Sequence, residues 1–194
     1  AGHETTAVSL CWSLYLLAQH PAVYAQVQAA VDALPDEPTV ADLPRLGAVL
    51  RLFKESLRIY PPLPLYSRDT IADIVIGGFE IPEGTPVLIS PYATHHRPEL
   101  WPDADRFDPD RFLPEAEAQR HRYAYIPFSA GPRICIGNHF ALMEATLVLT
   151  TLLRNYEFAL EPGAEVVPEI DSALRPKDGL FMRLRQRRPA MRAV

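Results

Sequence analysis

Apolar positions recur at three- and four-residue spacing through the first sixty residues, which predicts helices there. Ala7–Gln19 is leucine-rich, and Pro21 ends it. Pro21–Leu34 sets Val23, Val27, Ala30, Val31 and Leu34 on one side. After the polar loop Pro35 to Pro38, a third apolar helix is predicted over Leu43–Ile59, stopped by Pro61 and Pro62. The period then shortens. Thr70–Ser90 alternates around turn signals at Gly77, Gly78, Pro82 and Gly84, which predicts a small antiparallel meander. Pro91–Leu100 reads as a short helix, and Trp101–Pro127 as irregular, with charged Glu115–Arg122 at the surface. Asn138–Arg154 is again helical, with Phe140, Met143, Leu147, Val148 and Leu152 as candidate core positions. Phe158–Leu160 and Leu180–Leu184 read as strands, Leu174–Gly179 as a hairpin-like turn, and Arg183–Arg192 as a solvated basic tail. The fold class expected is mainly α with small antiparallel β-sheets, an α+β arrangement. The expected segments of one domain are helices over 1–60, a meander and irregular stretch over 61–127, a loop and helix over 128–156, and terminal strands over 157–194.

Composition narrows this only a little. The 194 residues suffice for one core, and 48% hydrophobic with 22% charged residues is an ordinary globular balance. A net charge of -5 gives no basic field for nucleic acid. Two cysteines, Cys11 and Cys135, make no disulfide framework and fit a reducing, cytoplasmic setting. The longest apolar runs, Ala7–Ala18 and Leu142–Leu153, are too short to span a bilayer. The chain opens without Met, inside a helical pattern, so the expectation is that an N-terminal region is missing and that an anchor there stays open.

The chemistry concentrates in Phe128–Gly137, where one cysteine lies in a glycine-flanked turn directly ahead of a long apolar helix. Unpaired N–H groups and the helix dipole favour negative charge at such a place, and a thiolate is the ligand for a soft metal centre. Gly131 and Gly137 are expected to supply backbone freedom, and Arg133 a positive charge for an anionic group on the same cofactor. The plain alternative for one cysteine is a buried structural thiol. Cys135 with His139 is a fragment of a zinc pattern without partners, and His95 with His96 has no second ligand cluster nearby.

Phe128, Gly131, Arg133, Cys135 and Gly137 match F-x-x-G-x-R-x-C-x-G, and the chain resembles the cytochrome P-450 family of haem-thiolate monooxygenases. The resemblance implies the C-terminal portion of that fold, from the oxygen-activating helix to the C-terminus. It implies haem b with Cys135 as the iron ligand and O2 as co-substrate. Ala1–Thr6, A-G-x-E-T-T, then falls on the helix crossing the distal haem face. There Ala1 and Gly2 leave room for dioxygen, and Glu4 and Thr5 form the acid–alcohol pair that delivers protons. Glu55 and Arg58 form the family's E-x-x-R pair, tied to Arg111 of Phe107–Phe112 in a buried charge network. Asp110 stands where the family usually has glutamate. Arg68 takes the position of a haem-propionate partner, and Leu63, Pro64, Leu65 and Leu174 line the substrate cavity.

The function implied is insertion of one oxygen atom into an apolar small molecule. Electrons would come from NAD(P)H through a ferredoxin or flavoprotein reductase on the proximal face. Family members run to about twice this length, as a buried-cofactor fold requires. The 194 residues alone are therefore expected to hold haem weakly and turn over little. Two alternatives remain. One is a peroxide-dependent peroxygenase, which replaces the acid–alcohol pair that Glu4 and Thr5 supply here; comparing peroxide with NAD(P)H turnover separates it. The other is an inactive truncated interaction module, which a haem titration without a Soret shift would favour.

Overall fold

A computed structural model describes residues 2–35 and 39–187. Ala1, part of the loop after Pro35 and the end of the basic tail lie outside the described residues. Four helices build the core: α1 Glu4–Gln19, α2 Pro21–Asp32, α3 Gly47–Ile59 and α6 Asn138–Asn155, with α4 Pro91–His95 and α5 Pro114–Gln119 as short intervening turns. Pro21 opens α2 at its first position, where a missing N–H has no cost. Trp12, Leu16 and Leu17 from α1 meet Val27 and Val31 from α2, Leu52 and Phe53 from α3, and Ala145, Leu149 and Leu153 from α6. Among the described residues no helix is long and apolar enough to cross a membrane.

The helix expected over Leu43–Ile59 is two elements. Val40–Leu46 is a 3-10 turn with a Thr39–Asp42 capping box, and α3 begins only at Gly47. Pro44 lies inside that turn and lacks the N–H a continuous α-helix would need. The helix expected over Pro91–Leu100 closes at His95.

α6 also differs in its inward face. Phe140 is 61% exposed, and Met143, Leu147, Val148 and Leu152 are only half-buried. The buried positions are Ala145, Thr146, Leu149, Thr150 and Leu153. The two threonines can be buried because each hydroxyl donates to a carbonyl one turn back, Thr146 to Leu142 at 2.6 Å and Thr150 to Thr146 at 2.7 Å.

The sheets are all two-stranded. β1 Tyr66–Asp69 pairs with β4 Pro86–Ile89, and β2 Ile74–Ile76 with β3 Phe79–Ile81, both antiparallel. This is a hairpin nested inside a wider ladder rather than the meander expected from alternation. Gly77 and Gly78 have φ 59° and 87°, as a tight two-residue hairpin turn requires. β5 Tyr156–Leu160 pairs with β8 Met182–Gln186, and β6 Pro168–Ile170 with β7 Leu174–Pro176. Leu174 therefore starts a strand, where a turn was expected. The first part of the basic tail is also ordered strand: Arg185 lies opposite Glu157 in register and pairs with it, and Arg183 pairs with Glu161.

Candidate functional site

Cys135 sits in the loop between a 3-10 turn at Gly131–Arg133 and the start of α6. The loop is folded by its own backbone. The Cys135 N–H donates to the Phe128 carbonyl at 2.9 Å, and the Ile134 N–H to the Gly131 carbonyl at 3.1 Å. Gly131 has φ 66°, in the left-handed region that favours glycine, and Ser129 takes φ 64° despite its side chain. Gly137 differs from expectation. Its φ is -89°, open to any residue, and an added Cβ would stand 3.9 Å from the Cys135 sulfur. That is an ordinary van der Waals contact, so neither torsion nor space within the described residues demands glycine there. Phe128 packs against the helical core and so fixes one end of the loop.

The Cys135 thiol is free and exposed, not sealed in the core. Apolar side chains stand open on the same loop and on the first turns of α6: Ile134, Ile136 and Phe140. Arg133 is exposed on the loop, and Arg68 reaches it from β1, its Nη2 donating to Ser129 Oγ at 3.2 Å. The Arg68 guanidinium also lies 4.8 Å from the ring centre of Tyr66. A soft thiol donor, open apolar side chains and two guanidinium groups fit a flat, apolar macrocycle with carboxylate substituents, as haem b is.

Glu4 is the first residue of α1, and Thr5 follows it, half-buried. The Thr5 carbonyl accepts the Ser9 hydroxyl at 2.7 Å, and the Gly2 carbonyl accepts that of Thr6 at 3.1 Å. Gly2 has φ 89°. Ala1 lies outside the described residues. The Glu4 carboxylate is held by a residue that sequence reasoning missed: Ser172 donates to Oε1 at 2.6 Å.

The four expected cavity residues divide. Leu63 and Leu65 are exposed and free to meet a ligand. Pro64 is buried, and its carbonyl accepts the Ser90 hydroxyl at 3.0 Å. Leu174 is 3% exposed. Its N–H donates to the Pro62 carbonyl at 2.9 Å, and its carbonyl accepts the Trp12 indole N–H at 2.8 Å. Pro64 and Leu174 thus tie the wall together through their backbones and are themselves buried, whereas Leu63 and Leu65 stand open.

At the centre of the charge network Glu55 and Arg58 are buried, with Arg111 half-buried beside them. Glu55 and Arg58 are both 0% exposed and joined by two hydrogen bonds, Nε to Oε2 at 2.7 Å and Nη2 to Oε1 at 2.8 Å. Arg58 also donates to the His95 carbonyl at 2.9 Å and the Arg106 carbonyl at 3.2 Å. The Asp108 N–H donates to Glu55 Oε1, and Arg111 Nε lies 3.5 Å from the same oxygen. Burial pushes the Glu55 carboxyl above its ordinary value, and the hydrogen bonds and charge of Arg58 oppose it. Asp110, the departure from the usual glutamate, pairs with Arg51 at 3.7 Å and leaves Arg111 in place. His95 completes the network from the α4 side. Its Nε2 accepts the Ile126 N–H at 2.9 Å, and its Nδ1 faces the Arg58 carbonyl at 3.2 Å. Ile126 leads directly into the cysteine loop, so the network braces that loop from beneath.

Comparison with known proteins agrees with this geometry. Residues 1–183 match the family profile described as Cytochrome P-450. The chain is 40% identical over 191 residues to mouse (Mus musculus) Cytochrome P-450 4V2, covering 96% of this chain and 36% of that protein. It is 39% identical over 191 residues to Pentalenene oxygenase of Streptomyces avermitilis, covering 97% and 42%. The crystal structure of the cytochrome P-450DA haem domain superposes with a TM-score of 0.92 at 38% identity, over 100% of this chain and 43% of that one.

Proposed function

This chain belongs to the cytochrome P-450 family, and on that premise we propose that it is the catalytic portion of a haem-dependent monooxygenase acting on an apolar small molecule. Because the chain spans well under half of its relatives, the activity is assigned to the full-length protein that carries it. The observation that carries the reading is the exposed Cys135 thiol, held in a loop whose backbone bonds to Phe128 and which is braced by buried Glu55, Arg58 and His95. Bound through that sulfur, haem b supplies the redox-active iron at which dioxygen is reduced.

The chain's own residues do the rest. Arg133 and Arg68 neutralise carboxylates at the loop edge. Glu4 takes protons from solvent and hands them inward, and Thr5 orders the acceptor beside it. Leu63 and Leu65 offer apolar contact to substrate, which suits a C–H or C=C target. Electrons arrive from NAD(P)H through a ferredoxin or flavoprotein reductase docking on the proximal side, in a cytoplasmic, reducing setting that the two free cysteines fit. The likeness to an oxygenase, Pentalenene oxygenase, supports the same reading.

The test is the carbon monoxide difference spectrum of the reduced full-length protein. A thiolate-type Soret band is expected, and Cys135→His should remove it while the protein stays folded. NAD(P)H-driven product formation should exceed peroxide-driven formation. A protein that binds haem with the same spectrum after Cys135→His would overturn the assignment.

A further inference from the structure

The hydrogen bond from Ser172 to Glu4 joins residues 168 apart in sequence, and no motif calls for it. Ser172 sits in the bend between β6 and β7, and that bend is fixed rather than loose. The Asp171 N–H closes it onto the Ala173 carbonyl at 3.2 Å. Arg175 clamps it by pairing with both Glu169 and Asp171. Leu174 anchors it on two sides, to Trp12 of α1 and to Pro62 of the 62–65 segment. The bend therefore delivers one hydroxyl to one carboxylate oxygen with little freedom.

We propose that Ser172 is the positioning residue for Glu4. It occupies Oε1 and leaves Oε2 as the oxygen that exchanges protons. It thereby fixes the rotamer of the Glu4 carboxylate. The same anchoring links proton delivery to the substrate wall. Leu174 hydrogen-bonds to Pro62, next to Leu63, so the bend that carries Ser172 is tied to the 62–65 segment. The proposal rests on the reading of Glu4 as the proton-delivering acid.

The test uses the haem-loaded full-length protein with Ser172→Val, its near-isostere Ser172→Thr, and Glu4→Gln. Ser172→Val should lower product formed per NAD(P)H consumed by about five-fold or more, as expected when a positioned acid loses its orientation. Hydrogen peroxide release should rise to balance the electrons, and the solvent isotope effect on turnover should change. Ser172→Thr should keep all three values. The substrate KM and the substrate-induced spin-state shift should not move in either variant. Independently of turnover, the chain's thermal midpoint should show the pair as coupled: Ser172→Val combined with Glu4→Ala should lower it less than the sum of the two single changes. Ser172→Val with unchanged coupling ratio and isotope effect overturns the proposal while Glu4→Gln still uncouples. Unchanged values in Glu4→Gln as well overturn the acid assignment and this proposal with it.

Discussion

At the scale of single residues, the strongest demands fall on groups that touch no substrate. Arg58 spends its donors on Glu55 and on the carbonyls of His95 and Arg106, all away from water. Removing it strands a buried carboxylate, so Arg58→Met should cost about 3–5 kcal/mol in urea unfolding. The Glu55→Met/Arg58→Met double change should cost less than the sum of the single changes, since no lone charge remains. His95 makes a second, pH-dependent demand. Its Nε2 must be unprotonated to accept the Ile126 N–H, and burial pushes its pKa from 6.5 down to about 3. Between those values the unfolded chain binds a proton that the folded chain refuses. The stabilising contribution is therefore complete above pH 6.5 and is lost as pH falls toward 3, by up to about 1.4 kcal/mol per pH unit. Thermal midpoints between pH 7 and 4 should fall less steeply for His95→Gln than for the unsubstituted chain. An equal slope would sink the assignment of a neutral, buried imidazole.

At the scale of elements, what the sequence showed and what it hid follow from the range of the forces involved. Helix placement was legible because each helix repeats its apolar face, and prolines 21 and 61 mark boundaries locally. The cysteine loop was legible because its residue types sit within ten positions. The Glu55–Arg58 pair, set by spacing, was legible too, but its burial came only through the resemblance. What stayed hidden depends on partners far along the chain. Alternation cannot tell a nested hairpin from a meander, because both read the same until β1 meets β4. The buried threonines of α6 look polar until their hydroxyls are seen bonded within the helix. The anchoring of the Leu174 backbone depends on Trp12, 162 residues away. That last contact gives an element-scale expectation. Trp12→Phe keeps a ring against Tyr60, which stacks at 3.9 Å, but leaves the Leu174 carbonyl without its donor. The cost should be about 1–3 kcal/mol. Amide exchange at Leu174, whose N–H holds the Pro62 carbonyl, should quicken in that variant.

At the scale of the whole molecule, the described chain has a sealed helical core and open apolar side chains on the cysteine loop. Trp12, Leu52, Leu149 and their neighbours are sealed, yet Ile136 is 102% exposed, with Ile134 and Phe140 open on the same loop and helix start. Isolated apolar side chains on a surface are ordinary, but several flanking one exposed thiol mark a surface made to be covered. Ile136 adds nothing to the stability of this chain, since it is as wet folded as unfolded, and the others, about half covered, add less than a core residue does. They should instead contribute to holding the macrocycle. Ile136→Ser should therefore leave the unfolding free energy in urea within about 0.5 kcal/mol of its starting value, and Phe140→Ser should cost less than a core truncation. In the full-length protein each should speed haem loss to apomyoglobin, by about ten-fold for every 1.4 kcal/mol of apolar contact forgone. Core positions should behave in the opposite way: Leu149→Ala should cost about 2–5 kcal/mol through the cavity it opens, while haem loss from the protein that remains folded stays near its original rate. If instead the serine variants destabilise the chain and leave haem loss unchanged, the open face belongs to folding, and the cysteine loop was not built around a cofactor.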